Sequence, residues 1–224
     1  MQTKQNDMSS QEARQALSWL IEMGADEIVG EEPVNRFLAV AAPAVVEKIL
    51  ADLPAPSGAA SCNSLQELAA ALAQLDCPLK KTASNLCFMG GDLEAPVMVI
   101  GDVPGRDEDI EGKVFAGQNA LLLERMLGAI GLPLETVGLF NFIPWRPPGN
   151  RTVTEAEIQM CQPFLLRAIV LCRPKFILCL GMHPAQRLSG KSDGLMSLRG
   201  KWFELVAGNE KIPALPSFHP SYLN

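Results

Sequence analysis

Apolar positions follow two rhythms along the chain. Ala13, Ala16, Leu17, Leu20 and Ile21 recur at helical spacing behind a Ser9–Glu12 capping-box pair and stop at Gly24. A shorter helix is expected at 43–50, and the Pro- and Gly-bearing run 52–60 reads as a linker. We therefore divide the chain into a helical N-terminal appendage and linker, 1–60, and an α/β domain, 61–224. In the second part Ser64 and Glu67 form another capping box, opening a helix with Leu65, Leu68, Ala69, Leu72 and Ala73 on one face. Short apolar runs at 97–100, 137–142, 176–180, 202–206 and 212–217 then alternate with helical patterns. One helix carries Leu123, Met126, Leu127 and Ile130 and stops at Gly131 and Pro133. Another starts at the Thr154–Glu157 box and buries Cys161, Phe164, Leu165, Ala168 and Ile169. Strands apolar on both faces belong to a sheet covered on both sides. The expected fold is a three-layer α/β/α sandwich around a central, mainly parallel, four-stranded sheet. Loops 101–117, 141–151, 181–184 and 218–223 leave the carboxyl ends of strands, the edge where such sheets bind ligands.

Composition narrows the class without naming it. A chain of 224 residues, 48% hydrophobic and 20% charged, is that of an ordinary soluble protein. Residues 1–10 are polar, so no secretory signal is expected, and Arg173, Pro174 and Lys175 interrupt the apolar run 168–181. Six cysteines without a small-domain disulfide framework are expected to be reduced thiols, which places the protein in the cytoplasm. The net charge of −6 weighs against a nucleic-acid partner, but the charge is uneven. Residues 1–60 hold four basic and nine acidic side chains; residues 146–201 hold nine basic and three acidic, a local net of +6. Local charge governs attraction to phosphate. Scattered, solvated charges are the alternative.

Three loops carry candidate chemistry. The first, 101–117, holds Asp102, Asp107, Glu108, Asp109 and Glu111 beside Gly101, Pro104, Gly105 and Phe115. It matches neither a dinucleotide-binding glycine fingerprint nor a Walker loop. Its carboxylates suit either a divalent cation or a solvated turn. The second holds Asn141, whose amide offers one acceptor and two donors to the imide edge of a base. There Pro147 and Pro148 stiffen the chain so that Arg146 and Arg151 face a phosphate. The last holds His219 before Pro220, either a structural histidine or a catalytic one.

Together these loops resemble the uracil-DNA glycosylase superfamily, in particular its iron–sulfur branch, family 4. The resemblance spans roughly 64–224 and rests on Gly-Asp-Val-Pro-Gly at 101–105 with Glu108-Asp109, Gly-x-x-Phe-Ala-Gly at 112–117 and Asn141. It continues through Arg-Pro-Pro-Gly-Asn-Arg at 146–151, Pro-Lys-x-Ile-x-x-Leu-Gly at 174–181, Arg199-Gly200 and His-Pro-Ser-Tyr-Leu at 219–223. It implies that Asp102 and His219 are catalytic. It also implies that Glu108 crowds the C5 side of the base, that Phe115 stacks on it and that Asn141 recognises it. Val103 lines the pocket, while Arg146, Arg151, Arg199, Tyr222 and Leu223 contact DNA. The expected function is hydrolysis of the N-glycosidic bond of uracil in DNA after base flipping, by a monomeric enzyme whose partner is uracil-containing DNA. Two readings stand against it: a catalytically impaired fold acting as a DNA- or nucleotide-binding module, and metal-dependent hydrolysis at the acidic loop.

The sequence also departs from the family pattern. Asp102 replaces the usual glutamate, Val103 a small residue, Val114 a proline, and Asn119-Ala120 an Ala-Gly pair. The four cysteine positions of the branch's cluster read Gln74, Cys77, Trp145 and Cys161. Two thiolates are too few for an iron–sulfur cluster, so no cofactor or metal is expected. Rebuilding with Cys62 or Cys87 is the alternative. Cys77 and Cys161 are then expected as neighbouring buried thiols, with Trp145 filling the vacated volume.

Overall fold

The structure, a computed structural model, describes residues 58–207 and 210–224, which lie in the compact unit Ala42–Asn224. The helices expected at 9–24 and 43–50, and all but the last three residues of the 1–60 appendage, lie outside the described residues.

The strands are β1 (Met89–Gly91), β2 (Val97–Gly101), β3 (Gly138–Asn141), β4 (Phe176–Leu180), β5 (Phe203–Ala207) and β6 (Glu210–Ser217). They form one sheet in the order β1-β3-β2-β4-β6-β5. The centre, β3-β2-β4-β6, is the expected four-stranded parallel array. The sheet as a whole has six strands, because β1 pairs antiparallel with β3 and β5 antiparallel with β6. β5 and β6 are consecutive with two residues between them, a link only an antiparallel hairpin allows. Side chains alternate across the central strands as period-2 geometry requires. Met98, Ile100, Phe140, Ile177 and Cys179 enter one core; Val99, Leu139 and Leu180 enter the other.

Helices cover both faces. On the first, α1 (Leu65–Gln74) contributes Leu68 and Leu72, and the long α4 (Glu155–Cys172) contributes Phe164, Leu165 and Ile169. On the second, α3 (Gly117–Gly128) contributes Leu123 and Leu127. Each such side chain stabilises the fold by roughly 1.5–3 kcal/mol through lost contact with water. The two capping pairs expected within the described residues form their helix-starting bond: Ser64 Oγ accepts from Glu67 N, and Thr154 Oγ1 from Glu157 N. Short helices α2 (Arg106–Glu111), α5 (Met182–Ser189), α6 (Leu195–Leu198) and α7 (Pro220–Leu223) complete the domain. No helix among the described residues is long and apolar enough to cross a membrane.

This connectivity decides where a ligand sits. The chain leaves β2 towards α3 on one face and leaves neighbouring β3 towards α4 on the other. Loops that part to opposite faces open a crevice between the two carboxyl ends. Gly101 and Asn141, register partners across that pair, stand at its mouth.

Candidate active site

Asn141 is buried, and its Nδ2 donates to the carbonyl of Cys87 at 3.0 Å. That bond fixes the amide and leaves Oδ1 and one N–H for a ligand. Gly101 makes room for it: a Cβ there would stand 2.5 Å from Asn141 Oδ1 and 2.9 Å from Phe115 Cζ. Phe115 is 4% exposed and holds a left-handed backbone at φ 56°, a conformation costly for a bulky residue. Its ring stacks on the His219 imidazole, with centroids 5.4 Å apart and planes 18° apart. A base inserted between them would need about 7 Å, two aromatic thicknesses, given ordinary carbon contact distances. A flat ligand entering here would therefore have to lie on the other face of Phe115 or displace one of the rings.

The proton on His219 can be placed from its partners. The backbone N–H of Ser221 donates to Nδ1 at 3.2 Å, so Nδ1 carries a lone pair and the proton sits on Nε2. Burial pushes the imidazole pKa below its ordinary value, outweighing the negative charges of Asp102 and Glu108 nearby. His219 is thus a neutral N–H donor. It belongs to the same gathering as Asp102, Phe115 and Asn141.

The acidic loop is occupied by structural bonds. Asp102 Oδ2 accepts from Met182 N at 3.0 Å, and Oδ1 lies 2.5 Å from Nδ1 of His183. Glu108, 2% exposed, caps α2 by accepting from Gly105 N at 2.8 Å, and also accepts from Asn119 Nδ2 at 3.3 Å. Asn119 accepts in turn from Asn224 Nδ2 at 3.0 Å, which ties the end of α7 to this loop. Asp109 accepts from the N–H groups of Ser84 and Asn85, and Glu111 pairs with Lys113. Among the described residues no three His, Cys, Asp or Glu side chains converge on a point where a metal would sit.

The remaining candidates divide. Val103 packs against the first core as a half-buried side chain. Arg146 donates through Nε to Asn150 at 2.8 Å. Arg151, itself exposed, gives Nη1 and Nη2 to the two oxygens of the buried Glu157 at 2.9 and 2.6 Å. Together with Thr154 this holds the Glu157 carboxyl at a pKa of about 2. Arg199 lies over the Phe218 ring, 4.7 Å from its centroid, and Phe218 stacks on Tyr222 at 5.0 Å. Tyr222 and Leu223 are 70% and 51% exposed at the same edge. His183 has no counterpart among the expected site residues. The signal available for it was its place two residues after Gly181, on a strand-end loop already marked as ligand-facing.

The residues at the family's cluster positions do not form a thiolate set. Trp145, 3% exposed, lies in the first core with Cys77 and Cys161, whereas Gln74 is exposed. The two thiols act on each other: Cys161 beside it lowers the Cys77 pKa to about 7, while Cys77 and burial push Cys161 up. Cys62 donates to Gly58 O at 3.0 Å. Cys87 donates to Glu108 O at 3.0 Å, and burial pushes its pKa up to about 12, against the thiolate a cluster needs.

Residues 88–224 match the family profile described as the Uracil DNA glycosylase superfamily. Among similar proteins is a type-4 uracil-DNA glycosylase of Archaeoglobus fulgidus, 35% identical over 149 residues, which are 65% of this chain and 75% of the relative. The corresponding protein of Saccharolobus solfataricus is 37% identical over 150 residues, 65% of this chain and 69% of its own. That of Thermotoga maritima is 36% identical over 148 residues, 66% of this chain and 76% of its own.

Proposed function

Because this chain belongs to the uracil DNA glycosylase superfamily and is a DNA glycosylase of the hydrolase type, we propose that it excises uracil from DNA after flipping the nucleotide out of the stack. The observation that carries this reading is the fixed amide of Asn141 beside Phe115 and the neutral His219. Asn141 offers Oδ1 to the N3–H of uracil and an N–H to O4, while Phe115 supplies an aromatic face. The C1′–N1 bond breaks with its electron pair leaving on the base. His219 Nε2–H, directed at O2, stabilises that charge. Water bonds to C1′, and Asp102 takes the proton that water loses. Glu108 crowds the C5 side of the base. Val103 lines the pocket wall.

DNA is held at the rim. Arg199, stacked on Phe218, presents its cation at the edge from which Tyr222 and Leu223 project; these two fill the gap left by the flipped nucleotide. Arg146 faces the backbone, and Arg151 orders the loop that carries it through Glu157. The protein works as a monomer, without an iron–sulfur cluster.

A single-uracil oligonucleotide, incubated with the protein and then treated with alkali, is expected to be cut at the uracil. Silence beside an active control enzyme, with retained DNA binding that weakens in salt, would instead support the second reading, a binding module. Asp102 in place of the family's usual, longer glutamate, with Val103 beside it, favours that alternative.

A further inference from the structure

The mechanism above leaves unused the group closest to its carboxylate. β2 and β4 are parallel neighbours, with Ile100 opposite Cys179, so the loops that follow them leave the sheet side by side. Asp102 comes from the first loop and His183 from the second. Nδ1 of His183 lies 2.5 Å from Asp102 Oδ1, and Met182 N–H donates to Oδ2. Gly181 permits this approach: at φ +118°, a Cβ there would stand 2.6 Å from Asp102 Cβ and 2.5 Å from Oδ2. On its other side the imidazole lies nearly parallel to the buried Phe142 ring, 6.4 Å between centroids and 26° between planes. Both side chains of the pair are about one-fifth exposed, so neither is sealed from the crevice nor freely solvated.

We propose that His183 is a positioning residue for the glycosylase reaction, acting through Asp102. The inference rests on the excision reading above. An aspartate on a turn otherwise exchanges rotamers, and a carboxylate displaced by about 1 Å loses on the order of 10²-fold in rate. Here two donors at right positions, one from each residue after Gly181, hold both oxygens and leave the outer lone pairs of the carboxylate for water. Phe142 holds the imidazole plane that makes this possible. The working atom of His183 is therefore Nδ1.

That assignment separates two conservative variants. The side-chain amide of asparagine reaches the Nδ1 position, whereas that of glutamine reaches the Nε2 position. His183→Ala is expected to lower the single-turnover excision rate by about 10²-fold while leaving the Kd for uracil-containing DNA within about twofold. His183→Asn is expected to recover most of the rate and His183→Gln little of it. In an Asp102→Asn background, His183→Ala should add almost nothing, because the two act as one unit. Melting temperatures recorded alongside separate loss of fold from loss of positioning. An active wild type with an unchanged His183→Ala rate overturns the inference and spares the excision reading. So does rescue by glutamine rather than asparagine, which would put the working atom at Nε2. A wild type that cuts no uracil strand overturns the excision reading, and the positioning role falls with it.

Discussion

Asn141 and Trp145 are four residues apart on one loop, yet they belong to two regions built on opposite terms. Around Asn141 the chain accepts a left-handed phenylalanine, a buried amide and a neutral buried histidine, and fixes the amide and the imidazole each through one side. Around Trp145 the chain relies on contact: the indole, two thiols and Phe164 of α4 fill one apolar core. The first region holds strain for the sake of a geometry. The second is organised by filling its volume. On the excision reading, then, the residues proposed to touch a base and those that brace the fold are separable, although four residues of chain divide them.

The sharpest way to break that contrast is through the slot. Asp102→Asn and Asn141→Ala are each expected to lower kcat/KM for uracil excision by about 10²–10⁴-fold with melting temperature little changed; an active Asn141→Ala variant would detach the slot from the chemistry. Next in size, Trp145→Ala is expected to cost about 3–5 kcal/mol in denaturant unfolding, while the protein that remains folded keeps its excision rate. Glu157→Gln should cost about 1–3 kcal/mol, because Arg151 and the start of α4 lose a buried acceptor.

Acid titration separates two of these groups by sign. The pKa of His219 in the fold lies below its ordinary 6.5, so its contribution to stability is full above that value and drains as pH falls towards the lowered one. Glu157 adds a second loss as pH falls from 4.5 towards about 2. Melting curves against pH should lose the upper step in His219→Asn and the lower one in Glu157→Gln. The smallest signal belongs to iron: protein purified without oxygen is expected to carry no stoichiometric iron and no visible absorbance band, and a four-iron spectrum would overturn the packing account of Trp145.

Much of this was legible in the residues and some was not, for physical reasons. The central strands announce themselves because both faces are buried, so their apolar runs are unbroken. The Thr154–Glu157 box was legible for a similar reason, since a helix start needs its orphan N–H groups met nearby. β1 was not, because Met89-Gly-Gly91 has neither β-branched residues nor alternation and exists only as an edge partner of β3. Arg151 was read as facing a phosphate; the competing attraction of Glu157, six residues on, becomes visible only when the loop folds back onto α4. His183 stayed silent because its partner lies 81 residues away, beyond any local pattern.

Gly101 carries a practical corollary. One added methyl group would collide with the amide oxygen and the ring that together form the slot, while every charge on the rim stayed where it is. On the excision reading, such an alanine substitution is expected to give an inert twin of the enzyme, one that still binds a duplex yet is closed to any nucleotide turned towards it. Beside the parent protein it would show what the surface alone contributes to finding a damaged position.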